Sequence, residues 1–304
     1  MGVRRAQKTF PTGDPNFSVL QAFPAGFSAE ESDPMLMLDH FGPMRSGGEE
    51  ANPDSFPVDW HPHRGQDLLT YMVSGVGRHA DSMGNRESFA SPGAQWIRAG
   101  SGIMHAEGGG TPAGQDQEGF QIWLNVPSEK KMQDPSYGTH PPSELPLLQL
   151  GAGSTARLLA GALGEARGPA NFSVDVQIVD YTLAPGTSTE HAVAASHDNC
   201  LCYCYRGAAV IGGAEVARGS VTRLVPSAPE EGPPAFALSS SGASGAGVLV
   251  FCGRQLKQPI AWHGPFVMTS QQEIQAALSE YRSGTLLKKR APWDFTKASA
   301  APPK

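Results

Sequence analysis

The sequence predicts an all-β fold, two antiparallel β-barrel domains in tandem followed by one α-helix near the C-terminus. Three observations predict it. Short apolar or alternating runs closed by glycine fill the chain, among them "DLLTYMVSG", "GAQWIRAG", "GFQIWLNV", "SVDVQIVDYTLAPG" and "AGVLVFCG", which is how strands of a barrel or sandwich read. The 304 residues include 36 glycines and 26 prolines but only 17% charged residues, below the roughly 25% usual for soluble proteins. One arrangement also occurs twice: a histidine-bearing entry, a strand ending in a glycine turn, and a second strand reached through another glycine. "HPHRGQDLLTYMVSGVGRHADSMGNRESFASPGAQWIRAG" matches "EHAVAASHDNCLCYCYRGAAVIGGAEVARGSVTRLVPS" in this respect, so a duplicated unit is the economical reading.

Taken in order, residues 1–130 are expected to form the first barrel. Residues 131–150 turn polar and proline-rich, in the stretch "VPSEKKMQDPSYGTHPPSELP" that begins at Val126, and read as a linker. Residues 151–304 supply the second barrel, a helix over 270–284 and a tail. The helix rests on Ser270 and Glu273 as a capping box and on Ile274, Ala277, Leu278 and Tyr281 recurring at helical spacing. Gly284 ends it as a C-terminal cap would. Past Phe295 the tail has no periodicity and reads as mobile.

A formal net charge of -6 without a long basic run disfavours binding a nucleic-acid backbone directly. No apolar run reaches the roughly 20 residues of a membrane span. The start has no apolar signal region, and Ala6 stands where myristoylation needs Ser or Thr. Cys200, Cys202 and Cys204 alternate in "CLCYCY", so one strand places all three on one face as small buried side chains, poorly set for disulfides. With Cys252 they imply a reducing, intracellular setting.

The chemistry lies in two short motifs. His61 and His63 are two apart, so extended backbone sends both side chains to one face. His105 and Glu107 repeat that spacing, with 41 residues between His63 and His105, enough for strand connections that return to the same end of a small barrel. Three imidazoles and a carboxylate suit Fe(II), Mn, Ni, Cu or Zn. A four-ligand set on a six-coordinate ion leaves two positions open, whereas zinc would more naturally close as a tetrahedron. Asp67, four residues after His63, competes with Glu107 as the acid. His40, His79 and His140 lack a partner at ligand spacing and read as surface or turn residues. His191, His197 and His263 lack a downstream HxE motif, so no second metal is expected.

"DPMLMLDHFGP", "HPHRGQDLLTYMVSG", "QWIRAGSGIMHAE" and "GPFVMTSQQEIQAALSEYRSG" resemble the pirins, members of the cupin superfamily. The resemblance runs in order from about residue 20 to about 287. It implies two cupin-type barrels with metal in the N-terminal one alone, and iron held by His61, His63, His105 and Glu107. Glu107 takes the acid's role on that ground, leaving Asp67 a supporting place. Gln66 stands where pirins commonly have an aromatic residue, Asp67 where they commonly have Glu, and Arg98 in a stretch usually uncharged.

The resemblance implies quercetin 2,3-dioxygenase activity, in which O2 opens a flavonol ring with release of carbon monoxide; the mechanism expected on this reading has Glu107 taking the flavonol proton at or near the metal. The alternative that it implies is an iron- or redox-dependent transcriptional co-regulator or protein-interaction module with little turnover, and the expected setting is the cytoplasm or nucleus. The expected ligands are a flavonol-like small molecule and O2, with Met72, Trp96, Phe120 and Trp123 as candidate walls. The chain is expected to be a monomer.

Overall fold

The computed structural model describes residues 2–10, 18–48, 51–225 and 234–301. Among these the chain is almost entirely strand and turn, with two α-helices. The all-β architecture with a late helix is therefore the observed one. Alternation in the sequence becomes alternation of burial. In Ala246–Gly253 both faces are covered and every residue is buried, whereas Leu147–Gly151 alternates exposed and half-buried positions.

The compact units are not contiguous in sequence. One comprises residues 1–40 and 143–257, the other residues 41–142 and 258–304. A division at residues 130 and 151 therefore differs from the grouping of the folded chain, because each unit takes one segment from the other end of the sequence. In the first unit a sheet runs in the order Val3–Arg5, Ser220–Leu224, Asn199–Ile211, Ala246–Gly253, Val176–Leu183, Ser154–Ala160, Leu147–Gly151. Its core holds Cys200, Cys202, Cys204 and Cys252 among Val179, Tyr181, Val248 and Val250. All four thiols are free and buried, as strand alternation required.

The second unit sets two sheets around one interior. Val58–His63, Ile103–Glu107, Val76–Asp81 and Arg86–Ala90 form one; Ser136–His140, Gly93–Arg98, Gln66–Ser74 and Asp116–Asn125 lie in that order in the other. Between them Leu68, Ile97, Ala99 and Ile103 pack with Trp123 and Tyr137.

The chain passes from one unit to the other inside the polar stretch 131–150, between residues 142 and 143, but the stretch is built into the sheets on either side of that point. Ser136–His140 pairs in register with Gly93–Arg98, and Leu147–Gly151 pairs with Ser154–Ala160. The Lys131 ammonium is 2% exposed and donates to the carbonyls of Gly65 at 2.8 Å and Val267 at 3.0 Å and to Asn125 Oδ1 at 2.9 Å. A lysine that looks solvated in sequence is buried because three acceptors satisfy its three N–H groups.

The late helix runs Gln271–Arg282. Ser270 Oγ accepts the Glu273 N–H, but Glu273 reaches one residue beyond a capping box, to the Thr269 N–H and hydroxyl. Gly284, at φ +73, takes the left-handed position that ends a helix without a Cβ penalty. Ile274 and Ala277 pack on Ala261, Phe266 and Met268, whereas Tyr281 is 41% exposed. The helix thus belongs to the unit that carries His61, His63 and His105. A further single-turn helix, Ala29–Ser32, closes with a full Ser28/Glu31 capping box, a signal visible in "SAEE". The tail past Phe295 is tied by the Ala298 N–H donating to Asp54 Oδ1 at 2.6 Å; its last three residues lie outside the described ones.

Candidate metal centre

Two antiparallel strands bring the histidines together. His105 is the direct cross-strand partner of His61, and Ile103 that of His63, so the period of two puts all three imidazoles on one face. Pro62 fixes φ between the first two. Ring centroids are 4.3 Å apart for His61 and His105, 4.8 Å for His63 and His105, and 4.9 Å for His61 and His63. One nitrogen from each ring lies within 4.8 Å of the others, and among the described residues this is the one metal-compatible group of three or more His, Cys, Asp or Glu side chains.

The site's electrostatics keep these rings neutral. Burial holds His63 and His105 well below the usual imidazole range, and neighbouring imidazoles add to the effect. Burial also lowers His61, partly offset by its hydrogen bond to the Asp59 carbonyl. That bond, 2.8 Å from His61 Nδ1, is made by an Nδ1–H and leaves Nε2 with a lone pair. His63 Nε2 and both His105 nitrogens are buried without a hydrogen-bond partner. Buried unpartnered nitrogens are costly and uncommon; three neutral imidazoles sharing one spot fit a divalent cation.

Glu107 stands beside this group without joining it. A register shift falls between His105 and Glu107, and its carboxylate, 3.4 Å from the Thr70 hydroxyl, is not among the ligand atoms gathered within 4.8 Å. Burial pushes its carboxyl up to about 7, against a smaller lowering by Thr70. Asp67 is fully buried but occupies the odd-numbered face of Gln66–Ser74. The even face carries Gln66, whose Nε2 is 3.0 Å from His63 Nδ1, and Thr70 beside Glu107. Asp67 therefore points away from the histidines, opposite Arg98 on the neighbouring strand.

The same alternation sorts the candidate walls. Trp123 packs edge-on to His63 at 5.1 Å, and Met72 shares Thr70's face. Trp96 pairs with Leu69 and Phe120 with Tyr71, so both lie on the opposite face.

Several contributors were missed in the sequence. His79 is buried, not a surface residue: its ring lies 5.4 Å from His105 and stacks on Tyr137 at 4.8 Å. Its Nε2 is 3.1 Å from Asp81 Oδ2, and Asp81 also accepts the Met83 and Asn85 backbone N–H groups. The HxD spacing of "HAD" was the available signal, since it repeats the logic of HPH and HAE. His40 is likewise buried, 3.0 Å from the Tyr203 hydroxyl. Arg64 and Lys131 left no periodic mark because single long cations register with no spacing rule. In the other unit, His191 contacts the Tyr181 hydroxyl at 2.8 Å and Gln177 Oε1 at 2.9 Å.

A double-stranded-sheet barrel holding a histidine trio defines the cupin class, and comparison with known proteins narrows it. The family profile for pirin matches residues 16–124, and that for the pirin C-terminal cupin domain matches residues 178–287. A Pseudomonas aeruginosa protein whose name assigns it provisionally to the quercetin 2,3-dioxygenases is 34% identical over 86% of this chain and 89% of its own. A pirin-like protein from Caulobacter vibrioides is 31% identical over 84% of this chain and 88% of its own. The crystal structure of a quercetin 2,3-dioxygenase from Acinetobacter baumannii superposes with a TM-score of 0.82 at 26% identity, covering 94% of this chain and 97% of that one. The chain belongs to the pirin family.

Proposed function

We propose that this protein is a mononuclear metal dioxygenase acting on flavonol-type substrates, with His61, His63 and His105 holding Fe(II) and Glu107, which stands beside the trio, as the acid that would complete the set. The observation that carries the reading is the convergence of three imidazoles, of which His63 and His105 are buried with unpartnered nitrogens and His61 is half-buried, next to the half-buried carboxylate of Glu107 on the strand of His105. The names of the Pseudomonas and Acinetobacter relatives support the substrate class. Bound there, Fe(II) would supply a redox-active Lewis acid with open positions for substrate and O2.

The chain's own groups have separable tasks. Fixed by the Asp59 carbonyl, His61 offers Nε2 without rearrangement. Glu107 can take the proton of a flavonol 3-hydroxyl, and Thr70 lies within reach of its carboxylate. Trp123 presents an aromatic wall against His63 on which a flat ring can lie. The reaction consumes one O2 and yields the ring-opened ester and carbon monoxide.

Protein loaded anaerobically with Fe(II), then given quercetin and O2, is expected to bleach the flavonol absorbance and evolve CO. The variant His63→Ala should lose both. Full iron occupancy without turnover sinks the dioxygenase assignment.

A further inference from the structure

The residue after the HPH motif is buried more deeply than any catalytic need explains. Arg64 is 2% exposed. Its Nε donates to the Ser101 carbonyl at 2.7 Å, and its Nη2 to Glu280 Oε2 at 2.6 Å and to the Leu286 carbonyl at 3.1 Å. Ser101 lies in the turn that leads into the strand of His105, whereas Glu280 is in the helix Gln271–Arg282 and Leu286 follows it. One guanidinium therefore ties both ligand-bearing strands to the C-terminal helix.

The backbone repeats the connection. Arg64 pairs with Phe266 in an isolated bridge, its carbonyl accepting the Val267 N–H at 3.0 Å. Gly65, at φ +80, lies so close to the Val267 carbonyl that an added Cβ would stand 2.2 Å from that oxygen. Gln66 Nε2 donates to the Pro265 carbonyl at 3.0 Å. Residues 64–66 are thus gripped by the hairpin Ala261–Met268, and that hairpin is the surface on which Ile274 and Ala277 pack.

We propose that Arg64 is a positioning residue for the metal centre, and that through it the C-terminal helix and metal binding are energetically coupled. This rests on the reading of the histidine trio as a metal site. A ligand whose outer supports are removed loses alignment with its neighbours, and any coupling is reciprocal, so metal tightens the helix by as much as the helix favours metal. Glu280 is the accessible handle: its side chain is 30% exposed and shared with Lys288 at 2.7 Å.

Zn(II) serves as a redox-silent probe, its affinity measured by competition with a chromophoric chelator. The variant Glu280→Gln should bind Zn(II) about tenfold more weakly, at unchanged stoichiometry. Lys288→Met removes the other partner of the same carboxylate and should bind as the wild type does, which separates Arg64's support from a general loss of surface ion pairs. Amide hydrogen exchange of residues 271–287 should slow when Zn(II) saturates the wild type and should slow less in Glu280→Gln. Arg64→Lys, which keeps the charge but loses the fork, should also weaken binding if Glu280→Gln proves poorly folded. Wild-type affinity in both Glu280→Gln and Arg64→Lys, or helix exchange indifferent to Zn(II), overturns the coupling while leaving the metal site intact. No Zn(II) binding by the wild type overturns both.

Discussion

At the scale of single residues, two acids near the histidines have different fates although the sequence places both plausibly. Asp67 follows His63 by four positions and Glu107 follows His105 by two, and spacing alone does not rank them. Parity does: Asp67 falls on the face away from Thr70 and Gln66, and Glu107 on the face that looks inward. Glu107→Gln is therefore expected to weaken metal binding by at least tenfold, and Asp67→Asn to leave it within a few-fold. Metal analysis after dialysis against a weak chelator checks both, and the reverse order would reassign the acid.

His191 makes a separate residue-scale prediction. Burial, with a smaller contribution from His197, pushes its imidazole down to about 3 from an ordinary 6.5. Between those values the unfolded chain binds the proton and the folded one does not, so His191's contribution is present above about pH 6.5 and is lost as pH falls toward 3. Asp39 acts oppositely, since burial raises its carboxyl to about 6 and stability from that group declines as pH rises from about 4 to 6. Comparing urea midpoints of the wild type and His191→Gln isolates the histidine. Their difference should shrink from pH 7 to pH 4.5, by up to about 1.4 kcal/mol per pH unit. A constant difference would contradict the assignment.

At the scale of elements, strands were legible and their assignment to units was not. Period-two patterning in "DLLTYMVSG" and the alternating cysteines announce pleated, buried strands, and Ser270 and Gly284 bracket the helix. Residues 131–150 do contain the crossing between the units, but their strands left no mark in the sequence because an edge strand such as Ser136–His140 needs no apolar face of its own. Its residues are all half-buried, and its partner Gly93–Arg98 supplies the hydrogen bonds. Lys131, inside that stretch, shows the cost of misreading it. Lys131→Met leaves the Gly65 and Val267 carbonyls and Asn125 Oδ1 without their shared donor. Unfolding free energy should fall by about 2 to 4 kcal/mol, read from urea denaturation; a loss under about 0.5 kcal/mol would mean water replaces the ammonium.

At the scale of the whole molecule, the non-contiguous units explain why the histidine motifs were readable while the assignment of the terminal segments to their units was not. HPH and HAE lie within one continuous segment, where local periodicity suffices. The hairpin and helix that complete their unit arrive some 150 residues later, and no local pattern records a pairing that distant. The same division distributes natural reporters. All five tryptophans, Trp60, Trp96, Trp123, Trp262 and Trp293, belong to the unit with the histidines, and all four cysteines to the other. Tryptophan emission therefore follows unfolding of the unit with the histidine trio, and thiol labelling follows opening of its counterpart. A metal that binds only the folded state adds about 2.7 kcal/mol at a hundred times its dissociation constant. Saturating Zn(II) should raise the denaturant midpoint seen by tryptophan accordingly, and His105→Ala should abolish the shift. The thiol midpoint should move by no more than the tryptophan midpoint. A larger thiol shift would place the metal among the cysteines instead, and no shift in either probe would remove the metal centre altogether.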